Sequence, residues 1–509
     1  MSIFLRAIAK DILAGAGLAA LALLTGGCGS SSSSTSAAQT STSTPAVAVT
    51  GLTKLSSDPY TNSQGQHATE VEPGAFSFGS NIVTAFQVGR IFGGGGSDIG
   101  FAASQNGGIT WNGGFLPGIT IFQGGTYTAV SDAAIAYDRS HAVWLIATLP
   151  IGPLTTVGVN RSSDGIHWGN PVIVSATPDA DKPWIACDNT SASPFFGHCY
   201  VEWDDPVSQS VIWMSTSTNG GITWSAPLNT ADMAGGVGGQ PVVQPDGTVI
   251  VPITDAASNQ IVAFSSSDGG ANWKAAVEIS AITDHLVAGG IRTSALPAAA
   301  IDATGMVYVV WQDCRFRAAC TSNDMVLSTS SDGVTWSLPA RVPIDAITST
   351  VDHFIAGLAI DPATSGSTAH LALTYYFYPT ANCVASTCEL NAGIILSHDG
   401  GKTWSSPTTL AAGMTLDSLP DTFSGVMVGD YVSAAYSDGK VYPFFVVAQP
   451  KSGSEFGEAV YTTSAGMTDA ESIVRLSSAG ELPVPDAHSD HPPRRFQDVE
   501  QLIPERPPR

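Results

Sequence analysis

The chain has 509 residues, of which 43% are hydrophobic and only 12% are charged, and its formal net charge is −23. Charged residues make up ~25% of an average soluble domain, and the 53 glycines and 31 prolines of this chain indicate many turns. This composition favours short strands over charged helices, so we predict an all-β protein. The excess of acidic side chains would repel a phosphate backbone, which excludes nucleic acid as a partner.

The amino-terminal segment predicts export. Arg6 and Lys10 precede an apolar run at residues 12–24, and two glycines stand directly before Cys28. This arrangement resembles a bacterial lipoprotein signal, which implies that residues 1–27 are removed and that Cys28 carries a lipid. The chain would then be anchored to the bacterial cell envelope and would contact the membrane only through that lipid. The alternative is an ordinary secretory signal, which would give a secreted protein.

Two further segments have compositions that cannot build a core. Residues 28–50 consist largely of Ser, Thr and Ala, which predicts a flexible tether. Residues 467–509 are polar and rich in proline, which predicts a disordered tail. The folded domain is therefore assigned to residues 51–466.

An internal repeat runs through that domain. Its six copies are SQNGGITW at 104–111, SSDGIHW at 162–168, STNGGITW at 217–224, SSDGGANW at 266–273, SSDGVTW at 330–336 and SHDGGKTW at 397–404. Asp or Asn can accept backbone N–H bonds across a turn, glycine supplies positive φ, and tryptophan packs over the hairpin base. The repeat resembles the Asp-box, or BNR repeat, of sialidases and their relatives. That resemblance implies a β-propeller with each box at the outer edge of a blade, away from the ligand.

The segments between the boxes have the pattern of short apolar strands. A further unit of this type, without a box, follows at residues 426–466, so we count seven units and predict a seven-bladed propeller. A six-bladed propeller is the alternative. Residues 51–57 are predicted to supply the missing outer strand of the last blade, which would close the ring without an unpaired edge. We expect a monomer.

Six cysteines remain once Cys28 is set aside. They form three close sequence pairs: Cys187 with Cys199, Cys314 with Cys320, and Cys383 with Cys388. Export to an oxidising compartment permits disulfides, and local pairing is the simplest of the connectivities. A zinc site would need closer cysteine spacing and clustered histidines. We therefore predict three local disulfides and assign no metal to these residues.

In propellers of this kind, the starts of the innermost strands line the mouth of a central channel. Five residues there are candidates for catalysis: Glu72, Asp132, Asp181, Asp352 and Tyr431. Five others are candidates for ligand binding: Lys182, Gln240, Arg292, His353 and Asp430. Neighbouring carboxylates supply the acid and the base of glycosidases, and they also hold calcium, the one cofactor left open here. Alternatively, these acids bond to backbone amides and hold adjacent blades together.

The chain departs from a true sialidase in three features. That family grips the substrate carboxylate with three Arg side chains, whereas only Arg292 is predicted at the mouth. The nearest match to the first-blade arginine strand is GRIFGG at Arg90, which lacks the expected aromatic and proline and stands too late for an innermost strand. Sialidases also have six blades. We therefore favour a propeller that binds a glycan or a cell-surface protein, with an exo-acting glycoside hydrolase or a polysaccharide lyase as the alternative.

Two other segments have a functional and a structural interpretation. In WQDCRFRAAC at 311–320, Arg315 and Arg317 could present cations to a polyanionic sugar. The favoured interpretation is an ion pair between Asp313 and an arginine at the end of a strand, under a disulfide-closed loop. Likewise, Trp184 could stack on a sugar, but a tryptophan on an apolar strand is more often part of the core.

Overall fold

A computed structural model describes residues 45–175 and 179–468, together with the backbone of residues 474 and 475. The predicted signal, Cys28, most of the 28–50 tether and nearly all of the 467–509 tail lie outside the described residues. Regular structure within them consists of β-strands and short 3₁₀ helices, which confirms an all-β protein. The 3₁₀ helices are Ile121–Gln123, Pro206–Ser208, Ala288–Gly290, Ala318–Cys320, Gly366–Thr368 and Leu416–Ser418. No helix among the described residues is long and apolar enough to cross a membrane.

Most strands form consecutive antiparallel groups, which we number units 1 to 7 for reference. Single pairings, Thr69 with Glu458 and Gly96 with Val130, join units 7, 1 and 2 into one 12-stranded sheet. Unit 1 contains β2 (Gly65–Phe78), β3 (Asn81–Ile91), β4 (Gly96–Ser104) and β5 (Asn112–Phe115). Unit 2 contains β6 (Ala129–Asp138), β7 (Val143–Ile151), β8 (Val157–Ser162) and β9 (Val172–Ser175). Unit 3 contains β10 (Asp181–Cys187), β11 (Cys199–Asp205) and β12 (Val211–Ser217). Unit 4 contains β13 (Gly236–Val237), β14 (Val242–Val243), β15 (Val249–Asp255), β16 (Gln260–Ser266) and β17 (Val277–Ala281).

The remaining units follow the same order. Unit 5 contains β18 (Ala298–Ile301), β19 (Val307–Asp313), β20 (Asp324–Ser330) and β21 (Ala340–Arg341). Unit 6 contains β22 (Asp352–Ile360), β23 (Leu371–Tyr378), β24 (Glu389–Ser397) and β26 (Thr408–Thr415). Unit 7 contains β29 (Ser433–Ser437), β30 (Lys440–Ser452), β31 (Glu455–Thr463) and β1 (Leu52–Lys54). Two short pairs lie outside them: β25 (Thr403–Trp404) with β32 (Val474–Arg475), and β27 (Asp421–Thr422) with β28 (Gly425–Val426).

Each unit contacts the next through a strand near its amino-terminal end, which we call its inner strand. β2 contacts β6, β6 contacts β10, β10 contacts β14, β14 contacts β18, β18 contacts β22, β22 contacts β29, and β29 contacts β2. Neighbouring units also share apolar cores: Trp144 of unit 2 belongs to the same buried cluster as Val83 of unit 1, and Phe444 of unit 7 to the same cluster as Ile82 of unit 1. The hydrophobic core therefore lies between adjacent sheets.

The amino-terminal strand completes unit 7. β1 pairs antiparallel with β31, with Leu52 opposite Thr463, which confirms the outer strand predicted within residues 51–57. Just beyond it, the hydroxyl of Ser56 donates to Oε2 of Glu70 at 2.6 Å and accepts the N–H of Val460 at 2.8 Å. Segments from both ends of the domain thus meet in one hydrogen-bonded junction.

The repeated turns have the structural role expected for them. In the copy at 397–404, the hydroxyl of Ser397 donates to Oδ1 of Asp399 at 3.1 Å and accepts the N–H of Gly401 at 2.9 Å. The N–H of Thr403 donates to Asp399 at 2.7 Å, and the indole of Trp404 donates to the carbonyl of Gly401 at 3.0 Å. Asp399 and Trp404 therefore hold a hairpin together.

The disulfide prediction is confirmed for all three pairs: Cys187 with Cys199, Cys314 with Cys320, and Cys383 with Cys388. The loop closed by the second pair follows the favoured structural interpretation. Arg315 Nε donates to Oδ1 of Asp313 at 2.9 Å, and its Nη2 lies 2.6 Å from Oδ2. Arg317 is buried and bonds to Asp324 at 2.6 Å, so it presents no cation to solvent.

Candidate functional site

A cavity of about 280 Å³ opens where the inner strands of units 1, 2 and 3 begin. Six of the ten predicted site residues line it: Glu72, Asp132, Asp181, Lys182, Arg292 and Asp430. Tyr431 and Gln240 line a much smaller pocket, which shares Lys182 and Asp430 with the cavity. The structure thus brings eight of the ten predicted residues to one region. We call the larger space the central cavity.

Local irregularities in the inner strands position three of these side chains. The pairing register of β2, β6 and β10 shifts between Val71 and Gly74, between Ser131 and Ala134, and between Asp181 and Trp184. Within these bulges, Glu72, Asp132 and Lys182 have positive φ angles of 58°, 51° and 44°. A bulge turns a side chain away from the regular alternation of a strand, and left-handed backbone is costly for residues other than glycine. The fold therefore holds these three residues in a strained but repeated conformation.

Asp430 is the centre of the charged contacts in the central cavity. Its Oδ1 accepts a hydrogen bond from Nε of Arg292 at 2.8 Å, and its Oδ2 accepts another from Nη2 of the same side chain. Oδ2 also lies 3.0 Å from Nζ of Lys182. Burial alone would raise the pKa of Asp430, but Arg292 and Lys182 hold that pKa well below its usual range. Although burial opposes its charge, the pKa of Lys182 is raised by Asp181, 3.6 Å away, and by Asp430.

Glu72 and Asp132 differ from Asp430 because their environment favours protonation. Burial, with the charges of Asp132 and Asp430, raises the pKa of Glu72 to about 8. Glu72 accepts a hydrogen bond from Nε2 of Gln87 and another from the N–H of Asp430 at 3.1 Å. Burial also raises the pKa of Asp132, whose Oδ1 accepts the hydroxyl of Tyr431 at 3.3 Å. At neutral pH, Glu72 is therefore mainly a neutral carboxylic acid that can donate a hydrogen bond.

Arg90 also lines the central cavity, so the expectation that only Arg292 among the arginines lies at the mouth is wrong, although Arg90 does lie outside the first strand of its unit, as predicted. It stands near the end of β3, where antiparallel pairing sets it opposite Gln66 near the start of β2. The end of a second strand therefore lies at the same edge of a unit as the start of a first strand. Gln87 reaches the cavity from β3 in the same way. Sequence reasoning limited to inner strands misses both residues.

The surroundings of Arg90 are unusual for a buried cation. The residue is 3% exposed, yet its Nε donates to the sulfur of Met427 at 3.1 Å and its Nη1 donates to the carbonyl of Gly95 at 2.5 Å. No carboxylate of the described residues lies within 4.0 Å of its guanidinium. Burial and the nearby Arg292 lower the pKa of Arg90, and the charges of Glu72, Asp430 and Asp132 oppose that shift. Arg90 is thus a buried guanidinium with neutral direct partners, next to a second guanidinium.

Asp352 and His353 do not line the central cavity. Asp352 is fully buried, where it accepts the N–H of Asn323 at 2.7 Å and lies 3.1 Å from Nδ1 of His285. His353 packs against the ring of Tyr375, and burial lowers its pKa. Both positions begin an inner strand, as predicted, but their polar atoms bond sideways to the preceding unit. This is the alternative in which such acids hold neighbouring units together.

Two other predicted residues have structural contacts. Gln240 accepts the N–H of Ala299 at 3.0 Å and so links unit 4 to unit 5. Trp184 packs edge-on against Tyr431, with ring centroids 5.3 Å apart, and contacts the core shared by units 2 and 3. Neither side chain lines the larger cavity, so Trp184 follows its core interpretation.

One group of potential metal ligands lies elsewhere. Ligand atoms of Asp324, Asp345 and His353 lie within 4.8 Å of one another. However, Arg317 already pairs with Asp324 at 2.6 Å and with Asp345 at 2.7 Å. Arg341 also pairs with Asp324, at 2.8 Å. Two guanidinium groups oppose a bound cation, and calcium prefers more oxygen ligands than this group offers. Calcium binding by this chain therefore stays a prediction.

Comparison with known proteins supports the identity of the repeat. The family model of the BNR/Asp-box repeat matches residues 395–406, which include the last predicted copy. The chain therefore carries the Asp-box repeat that its sequence predicts. A search of curated proteins finds no match.

Several solved structures are similar at low identity. The Hadza microbial sialidase Hz136 is 16% identical, with a TM-score of 0.42 over 74% of this chain and 75% of that chain. A polysaccharide lyase of family PL25, an ulvan lyase bound to -[GlcA(1-4)Rha3S]-, is 12% identical, with a TM-score of 0.48 over 80% and 95%. The α-L-arabinofuranosidase Arb93A from Fusarium graminearum, in complex with an iminosugar inhibitor, is 14% identical, with a TM-score of 0.40 over 67% and 96%.

Proposed function

We propose that this chain is a seven-bladed β-propeller that binds a carboxylated sugar in the central cavity. The cyclic order of contacts supports the propeller, because every inner strand touches the next and β29 touches β2. The pairing of β1 with β31 supports it further, since one unit is then built from both ends of the domain. Six boxes and one unit without a box account for the seven blades.

Arg90 is the observation that carries the choice of ligand. A buried cation that makes no direct ion pair is unfavourable, and an anion that enters beside it offsets that penalty; the carboxylates of Glu72, Asp430 and Asp132 act on Arg90 only from beyond ion-pair distance. Lys182 and Arg292 line the same cavity, and both are already directed to Asp430. A carboxylate is the anion of choice because its two oxygens match the fork of a guanidinium. The first ligand contact is therefore assigned to Arg90, with Arg292 beside it.

The other lining groups suit the hydroxyl groups of a sugar. Gln87, the neutral form of Glu72 and the ammonium of Lys182 offer hydrogen-bond donors, while Asp181 and Ser131 offer acceptors. The volume of about 280 Å³ lies near the lower end of the range for small-molecule sites, ~300–1,000 Å³, so it suits a single ring with its substituents. A monosaccharide unit at the end of a glycan meets these requirements.

A hydrolase or lyase acting on the same glycan is the second candidate. It is favoured by one observation, the pKa of about 8 of Glu72, which keeps a proton on a carboxyl group inside the cavity. Such a group can act as a general acid toward a glycosidic oxygen. Asp181 would be the base, and Tyr431 with Asp132 the nucleophile candidates. Asp352 is removed from this set because it lies outside the cavity.

The cellular location is proposed from the sequence together with the disulfides. Three disulfides in one chain are typical of an oxidising compartment outside the cytoplasm. We therefore propose an exported monomer, anchored to the bacterial cell envelope through Cys28, with a secreted form as the alternative. Its ligand would be a glycan of the surroundings, either free or carried by a cell-surface protein.

Calorimetry with small glycosides tests the binding function. The purified chain is titrated with the methyl glycosides of glucuronic acid, galacturonic acid and N-acetylneuraminic acid, and with methyl glucoside as the neutral control. We expect at least one acidic glycoside to bind and the neutral one not to bind. Arg90→Gln should weaken that binding about 100-fold, because it removes the cation of the cavity lining that makes no direct ion pair, whereas Arg139→Gln on an exposed loop should not change it. Equal binding of acidic and neutral sugars would contradict the proposal.

Turnover decides between the two candidates. Fluorogenic glycosides and uronate polysaccharides are incubated with the wild-type chain and with Glu72→Gln and Asp181→Asn. Release of product that both substitutions abolish would establish an enzyme. Binding of the acidic glycoside with no turnover in any of these substrates would leave the binding function.

A further inference from the structure

Several exposed apolar side chains stand close in sequence to residues that line the central cavity. Four of them are 43% to 69% exposed: Phe92, Leu154, Val207 and Leu286. Each stands within two residues of a residue that lines the cavity, namely Gly93, Thr155, Pro206 and Asp284. Phe423, which is half-buried, lines the cavity itself. We call Phe92, Leu154, Val207 and Leu286 the apolar rim.

The topology explains why the apolar rim lies on one face. Phe92, Leu154 and Val207 lie in the connections from β3 to β4, from β7 to β8 and from β11 to β12, which join the second and third strands of a unit. Leu286 lies between β17 and β18, where one unit passes to the next. In an antiparallel unit, both kinds of connection lie at the edge where the first strand begins. The cavity opens at that same edge.

Exposed residues on the opposite edge provide a contrast. Ile109, Ile222 and Val334 are also more than half exposed, but they occupy the repeated turns between third and fourth strands. Those turns occur once in each of units 1 to 6, at the edge opposite the start of the first strand. Single apolar side chains on a surface are ordinary, whereas several around one opening indicate a contact with an apolar partner.

We propose that the ligand of this chain is an amphiphilic acidic glycoside, whose acidic sugar enters the central cavity and whose aliphatic or aryl group contacts the apolar rim. This inference rests on the proposed function, because the sugar end is the ligand argued above. The rim is continuous with the cavity through adjacent residues, so one molecule spans both. Gly93 to Gly95 line the opening next to Phe92 and carry no side chains that separate the two regions.

The composition of the rim favours an apolar group over a second sugar ring. A sugar ring is recognised by flat aromatic faces together with hydrogen-bonding groups. Three of the four rim side chains are aliphatic, and aliphatic groups gain free energy mainly from burial against apolar surface. The formal charge of −23 also disfavours docking of the rim onto an anionic membrane. The occupant is therefore assigned to the ligand itself.

The test compares methyl glucuronide with octyl glucuronide by calorimetry on the purified chain, below the micelle concentration, with octyl glucoside as the neutral control. We expect the octyl acid to bind about tenfold more tightly than the methyl acid, because burying about two methylene groups of the octyl chain lowers the binding free energy by the amount that a tenfold higher affinity requires. Octyl glucoside should bind more weakly than octyl glucuronide. Phe92→Ser and Leu286→Ser should bring the ratio of the two acid affinities toward one, and Ile109→Ser should leave that ratio unchanged.

The outcomes separate this inference from the proposed function. If methyl and octyl glucuronide bind equally well, the apolar rim has no role in recognition and only the present inference is overturned. If neither glucuronide binds and the other acidic glycosides do not bind either, the proposed function itself is wrong. Sedimentation of the ligand-free chain with neutral phosphatidylcholine vesicles would assign the rim to a lipid surface instead, and would also overturn the inference.

Discussion

Arg292 and Asp430 form a two-pronged ion pair although 138 residues separate them in sequence. Arg292 precedes β18 and Asp430 precedes β29, so the pair joins the segments that lead into units 5 and 7. Lys182 of unit 3 reaches the same carboxylate at 3.0 Å. Three distant parts of the chain therefore meet at one carboxylate, and it belongs both to the structure of the domain and to its candidate site.

Substitution of that carboxylate should destabilise the domain. Asp430→Asn keeps the shape of the side chain but leaves the charges of Arg292 and Lys182 without their direct partner. Loss of one partner of a buried ion pair costs about 3–5 kcal/mol, so we expect a lower thermal unfolding midpoint. The exposed Asp417→Asn is the matched control and should not shift it. An unchanged midpoint for Asp430→Asn would mean that the three charges are screened by solvent.

The junction between the first and last units should make stability depend on pH. Burial raises the pKa of Glu70 from 4.5 to about 7, although its hydrogen bond from Ser56 opposes the shift. The unfolded chain loses this proton near pH 4.5 and the folded chain keeps it until about pH 7. Stability therefore falls as pH rises through that window, by up to about 3 kcal/mol for this group.

Glu70→Gln removes that dependence, because an amide can accept the Ser56 hydroxyl without ionising. We expect the variant to have the same unfolding midpoint as the wild type near pH 4 and a higher one at pH 8. Glu455→Gln, on an exposed position of β31, should follow the wild type at both pH values. A variant that gains nothing at pH 8 would show that Glu70 ionises in the folded chain without penalty.

Binding of the acidic sugar should weaken above about pH 8. Glu72 is mainly protonated below that value, since its pKa is raised to about 8. Ionisation adds a negative charge to the cavity next to the ligand carboxylate, so affinity falls as pH rises through the pKa. Calorimetry with methyl glucuronide between pH 6 and pH 9.5 measures this. Glu72→Gln should flatten the profile, and a profile that is flat in the wild type would remove Glu72 from the ligand contacts.

The sequence predicts the parts of this molecule that are local. Each Asp-box is a hairpin of about eight residues, and its hydrogen bonds join residues close in sequence, such as Ser397 and Asp399. Its pattern can therefore be recognised within one short segment. The three disulfides are likewise local. Eight of ten candidate residues were found because the starts of inner strands converge on one region, whichever unit they come from.

The parts that sequence reasoning misses depend on contacts between units or between strands. Arg90 reaches the central cavity because β3 returns antiparallel to β2, a relationship that the rule of inner-strand starts leaves out. Asp352 also begins an inner strand, but its carboxylate contacts Nδ1 of His285 and accepts the N–H of Asn323, both of which come earlier in the chain. The bulge of β2 contains Glu72, whereas the bulge of β22 falls at Ile355, beyond Asp352, and the position of a bulge leaves no clear pattern in the sequence.

The boxes should matter for stability and not for binding. Trp404 is fully buried and belongs to the core shared by units 5 and 6, while its box lies at the end of the sheet opposite the cavity opening. Trp404→Ala should cost about 3–5 kcal/mol of unfolding free energy through the cavity it leaves, whereas Trp404→Phe should cost less. Both variants, measured well below their unfolding midpoints, should bind methyl glucuronide with the affinity of the wild type. A loss of affinity in Trp404→Phe, with the fold intact, would place the boxes in the ligand site after all.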